Sequence, residues 1–188
     1  MVVKYGIRYL GGNSVSPLGS VTIARLDDNS RTSTAQGAII RLRNDIKNSS
    51  RRPMIIVHEM GHVFGYNNTG VLAHFMKELG AVCTDGSSNI IDYCHTNNPG
   101  ELYDPGPYAG LDGSTQQYLN MPSDYSLAGI GEDFAETFTV VVSEGYIHSG
   151  NKTYIKTAKD VYENKIYNHD IGRRRKVMKA IISGSWKE

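Results

Sequence analysis

The stretch IIVHEMGHVFGY, residues 55–66, constrains this chain more than any other. Residues four apart on an α-helix differ by about 40° in direction and about 6 Å in rise, so a helix here sets His58 and His62 side by side. Two imidazoles placed this way reach one ion at about 2.0–2.1 Å. Glu59 then points past the metal to where a bound water sits, the position of a general base. Ile55, Ile56 and Val57 before the histidines, and Val63 and Phe64 after, supply the apolar walls of a buried helix rather than a solvent-facing one. The preceding NSSRRP offers an N-cap and a proline suited to a first helical turn, so the helix is expected over about 53–66.

Two histidines leave a tetrahedral site unfinished, because a catalytic zinc takes three protein ligands and a water. In the metzincin pattern HExxHxxGxxH, Gly65 is in place but the last position is Asn68, a poor zinc ligand. His74 and His95 remain available, though neither has a supporting carboxylate in a helical context, and Glu78 reads more readily as a surface residue. GEDFAETF offers more. Glu132 and Glu136 are four apart on one helical face, with Phe134, Ala135 and Phe138 to bury the rest. One carboxylate can ligate while the other accepts a hydrogen bond from a liganding histidine and fixes its tautomer. An acidic helix start favoured by the helix dipole is the competing reading of the same spacing.

HExxH followed at a distance by a helix reading EDFAETF resembles the gluzincin peptidases of the anthrax lethal factor type and the related clostridial Pro-Pro endopeptidases. The resemblance covers roughly residues 37–140, with the C-terminal helices as a looser extension. It implies one catalytic zinc ion held by His58, His62 and Glu132, with Glu136 behind a histidine and Glu59 as general base. It also implies that a tyrosine seven residues before the third ligand assists catalysis, and PSDYSLAGIGEDFAETF has Tyr125 there. The fold implied is α+β, a zincin-like metalloprotease domain with a small mixed sheet, an active-site helix and a C-terminal helical part.

The implied activity is endopeptidase cleavage of a protein or peptide substrate by a secreted or extracellular enzyme, of the effector or toxin type. A zinc hydrolase of another amide bond, a narrow exopeptidase and a catalytically silent zinc-binding module are the alternatives. Glu59 counts against the silent module, since structure alone needs ligands but no base. The chain departs from the family in a longer segment between His62 and Glu132, which carries both cysteines, and in Asp133, where phenylalanine is usual. Loops beside a cleft set specificity, so substrate preference does not carry over.

Around this centre, 188 residues suit one domain. Residues 1–46 read as β-rich, with SVTIARL (20–26) and GAIIRLR (37–43) as strands and the polar DDNSRTSTAQ between them as a turn or loop. GAIIRLR is either a sheet edge that an extended peptide could join or an ordinary interior strand. A second helix is expected in GVLAHFMKELGAV, and a loop-rich stretch over about 84–130, where prolines and glycines gather. Helical character returns over about 131–188, although the valine run after EDFAETF is ambiguous between helix and strand. TYIKTAKDVYENKIYN follows a helical period, and RRRKVMKAIISG ends on a glycine C-cap. The basic run from Arg173 to Lys176 reads as a solvated helical face, because the rest of the chain balances its charge.

A net charge of +1 gives no reason to expect nucleic acid or an acidic membrane as partner. No run approaches the about 18 apolar residues of a membrane span, and a monomer is expected. VVKYGIRYL after Met1 alternates like a strand and lacks the parts of a signal peptide, so the chain either acts where it is made or is a trimmed form. Cys83 and Cys94 are the only cysteines. They either close a surface loop of about a dozen residues, a bond contributing roughly 3 kcal/mol in the chain-entropy model, or stay separate thiols.

Overall fold

A computed structural model describes residues 22–25, 33–36, 39–43, 52–83, 103–110, 120–147 and 171–186, which form a mixed α+β arrangement. Three short strands, β1 (Thr22–Arg25), β2 (Thr34–Gln36) and β3 (Ile39–Leu42), make one sheet in the order β1-β3-β2. Strand β3 runs parallel to β1, with Ile23 opposite Ile40, and antiparallel to β2, with Ala35 opposite Ile40. Ile40 is fully buried while Ile39 faces outward, the alternation a half-buried strand requires.

One open alternative closes here and one expectation changes. GAIIRLR is interior, paired on both sides, and among the described residues the edges are β1 and β2. The end of the polar run expected as loop is strand β2. Its exposed, half-buried, exposed pattern at Thr34, Ala35 and Gln36 spans one period and a half, too short to stand out, and what holds it is pairing to β3 with Ala35 against the core.

The pattern around the two histidines gives helix α1 (Arg52–Asn67), and GEDFAETF opens helix α3 (Ile130–Ile147). They pack closely because both are small where they meet. A Cβ added at Gly61 would lie 2.9 Å from the Ala135 Cα, nearer than any side chain allows. Helix α2 (Thr69–Leu79) folds back against α1 and ends at Gly80, whose left-handed φ of 63° turns the chain so that the Ala81 N–H reaches the Met76 carbonyl at 3.0 Å. Asn68, between the two helices, donates from Nδ2 to the Phe64 carbonyl at 2.8 Å.

The valine run of α3 is helical because burial outweighs β propensity. Phe134, Phe138 and Val141 recur on one fully buried face, and Thr139 satisfies its hydroxyl on the Ala135 carbonyl at 2.7 Å. Phe134 meets Phe75 edge to face with ring centres 5.2 Å apart and Phe64 at 6.0 Å. Such pairs contribute about 0.5–1.5 kcal/mol each beyond area burial.

In the loop-rich stretch, β4 (Val82–Cys83) pairs antiparallel with β5 (Tyr103–Asp104), Cys83 opposite Tyr103, and 3-10 turns follow at Pro107–Ala109 and Asp124–Ala128. Cys83 is disulfide-bonded, and Cys94 lies outside the described residues. So do the strand-like run after Met1 and the TYIKTAKDVYENKIYN segment. Among the described residues no helix is long and apolar enough to cross a membrane.

Helix α4 (Gly172–Ser183) ends at Gly184 in the left-handed conformation. The solvated face expected of its basic run forms only in part, with Lys176 exposed and Arg173 and Arg175 half-buried. Arg174 is fully buried, donating from Nε and Nη2 to the Asp133 carboxylate at 2.9–3.1 Å and from Nη2 to the Pro105 carbonyl at 2.9 Å. Arg173 pairs with Glu78 on α2 and lies over the Tyr108 ring. Charge balance over a whole chain does not say which cation meets which anion, and here Asp133 on α3 draws Arg174 inward.

Candidate metal centre

His58 and His62 project from one face of α1 toward the first turn of α3, where Glu132 sits. The two Nε2 atoms are 3.0 Å apart, and they lie 3.0 and 3.2 Å from Glu132 Oε2. Three ligand atoms converge on one point. Tetrahedral coordination at about 2.0–2.1 Å places donor atoms roughly 3.3 Å from one another, so the triangle fits an ion of that size.

The chemistry of the three atoms supports the same fit. His58 Nδ1 lies 2.7 Å from Glu136 Oε1, and a carboxylate that close favours a proton on Nδ1 and, in the neutral ring, a lone pair on Nε2. Glu132 Oε2 is buried and finds no well-formed hydrogen bond. Atoms 3 Å apart in this way share either a hydrogen, as in a His62 Nε2–His58 Nε2 hydrogen bond, or a metal ion between them. The buried group His58, His62 and Glu132 can therefore hold a metal ion.

Electrostatics agree in direction. Burial works against charge on His58, yet the carboxylates of Glu132 and Glu136 outweigh it and raise its pKa to about 10. Burial likewise favours the neutral form of Glu132, but the two imidazoles beside it hold the carboxyl well below the usual carboxylate range. The same field that holds a proton on His58 favours a cation at the centre.

Two further groups face this point. Glu59 is buried, and burial raises its pKa against the opposing pull of His62 and His58. Tyr125 comes from the 3-10 turn before α3. Its residue is 55% exposed, but its hydroxyl feels the Glu132 charge, and its ring centre is 6.0 Å from that of His58. Burial of that hydroxyl and the nearby Glu132 charge push the phenol pKa up.

The structure thus brings together His58, Glu59, His62, Tyr125, Glu132 and Glu136. It separates the other candidates. His74 packs near Trp186 with ring centres 5.0 Å apart, Glu78 pairs with Arg173, and His95 lies outside the described residues. Tyr66 was not anticipated at the site. It stacks on His62 at 5.4 Å and 9°, and its position four after His62 on the same helical face was the available signal. Gly131 makes room for it, since a Cβ there would lie 3.3 Å from the Tyr66 hydroxyl.

Comparison with protein-family models, with curated proteins and with solved structures finds no match to this chain.

Proposed function

We propose that this chain is a zinc-dependent endopeptidase of zincin-like fold that cleaves a protein or peptide substrate outside the cell. The observation that carries the proposal is the convergence of His58 Nε2, His62 Nε2 and Glu132 Oε2, with a buried carboxylate, Glu59, that feels the charge of all three. Two nitrogen donors and one carboxylate suit zinc, which when bound supplies a water with a pKa near about 7 and polarises a substrate carbonyl.

The residues divide the remaining work. Glu59 takes the proton of the attacking water and passes it to the leaving amine. Its raised pKa suits a group that must both accept and return a proton. Tyr125 keeps its hydroxyl proton across the physiological range and donates it as a hydrogen bond to the carbonyl oxygen as charge develops there. Glu136 holds the His58 ring in one tautomer. Among the described residues β2 is paired on one side and packs against α1, which gives an extended peptide a backbone edge to join.

A diverse peptide library incubated with the zinc-loaded protein and read by mass spectrometry tests this, with Glu59→Gln alongside. Internal cuts that disappear in the variant support an endopeptidase. An intact library with zinc confirmed on the protein would count against it and leave either an extremely narrow substrate requirement or the silent zinc-binding module.

A further inference from the structure

We infer that Asp133, Arg174 and Tyr103 act as a buried clasp that positions Glu132 for metal binding. Glu132 is the third residue of α3, inside the turn whose N–H groups lack helical partners and which frays most easily. A ligand there needs its turn fixed from outside.

Asp133 supplies the fixing point. One residue on, it projects about 100° around the helix from Glu132, away from α1. It is fully buried with both oxygens engaged. Oδ1 accepts from Arg174 Nε at 3.0 Å and from Thr137 Oγ1 at 3.2 Å, while Oδ2 accepts from Tyr103 at 2.7 Å and from Arg174 Nη2 at 2.9 Å. Those donors come from β5, from α4 and from α3 one turn on. Arg174 also reaches the Pro105 carbonyl, so the loop after β5 is held by the same guanidinium. A turn held from two other elements, β5 and α4, is kept from rotating, and the Glu132 carboxylate stays on the point where the two Nε2 atoms meet. The clasp matters to function only if His58, His62 and Glu132 bind metal, as proposed above.

Zinc affinity by chelator competition, and the visible bands of the cobalt-substituted protein, measured on the full chain, test the clasp. Asp133→Asn is expected to raise the zinc Kd about tenfold or more and to shift the cobalt bands, with circular dichroism showing a folded protein. Tyr103→Phe, which removes one hydroxyl from an otherwise intact core, is expected to raise Kd about threefold. It decides the matter if Asp133→Asn does not fold. Folded variants with a lowered Tm but unchanged Kd and unchanged cobalt bands would reduce the clasp to a stability device and overturn the inference. Wild-type protein that binds neither zinc nor cobalt would overturn the metal centre itself.

Discussion

His58 Nδ1 and Glu136 Oε1 lie 2.7 Å apart across the α1–α3 contact, so a carboxylate on one helix favours the proton on Nδ1 of a histidine on the other whenever Nε2 gives up its own to a metal. With Nδ1 protonated, Nε2 faces His62 and Glu132. Replacing Glu136 by alanine should therefore weaken zinc binding by about 10- to 100-fold without removing a ligand. Glu132→Ala should weaken it more. Chelator competition on both variants checks the order, and equal zinc affinity in wild type and Glu132→Ala would place the third ligand elsewhere.

Glu59 and the metal are separable. The Glu59→Gln protein should retain its zinc stoichiometry while peptide cleavage falls by about 10²- to 10⁴-fold, the usual contribution of a general base. Metal analysis and cleavage rate on the same preparation report both quantities.

Zinc and a proton compete for one position. In metal-free protein His58 has a pKa near about 10, so at pH 7 it is protonated, and metal binding should release about one proton. Calorimetric titration in buffers of different ionisation heat measures this number directly.

The same shift sets a pH dependence of stability. The His58 pKa is raised from its ordinary value of 6.5 to about 10, so its contribution is fully present below about pH 6.5 and is lost as pH climbs through about 10. Metal-free protein should lose Tm over that window, while the zinc-loaded protein should not share this loss. The opposite slope in metal-free samples would show that His58 is not held protonated by Glu132 and Glu136.

Gly61→Ala sets two effects against each other. Alanine gains about 1 kcal/mol in helix propensity, but its Cβ would meet backbone at 2.9 Å, and overpacking of this kind costs about 1–3 kcal/mol. The clash should win because a backbone atom cannot swing aside. Since the ligands sit on both helices, zinc affinity should fall together with Tm. A variant with wild-type Tm and affinity would show that α1 and α3 separate freely.

What could be read from the sequence follows the range over which each signal acts. His58, Glu59 and His62 were legible because one helix carries them at a helical period, whereas the spacing of Glu132 and Glu136 suited an acidic helix start equally well and the resemblance singled them out. Tyr125 sits on a 3-10 turn that has no such period, and only the family resemblance pointed to it. Strand β2 was missed because its stability comes from Ile40 across the ladder rather than from three residues of its own. Arg174 was misread for a related reason. Nothing near it in sequence reveals that the partner of its charge is Asp133, 41 positions away.

That buried pair also governs how this chain can change. Removing one partner of a buried ion pair costs about 3–5 kcal/mol, whereas exchanging both for apolar residues of similar volume is often neutral. Positions 133 and 174 therefore drift as a single locus. A lone substitution at either takes a large share of the about 5–15 kcal/mol that keeps a domain folded, and the two changes made together avoid that loss. The arrangement works as a ratchet, easily kept once acquired and hard to leave one step at a time.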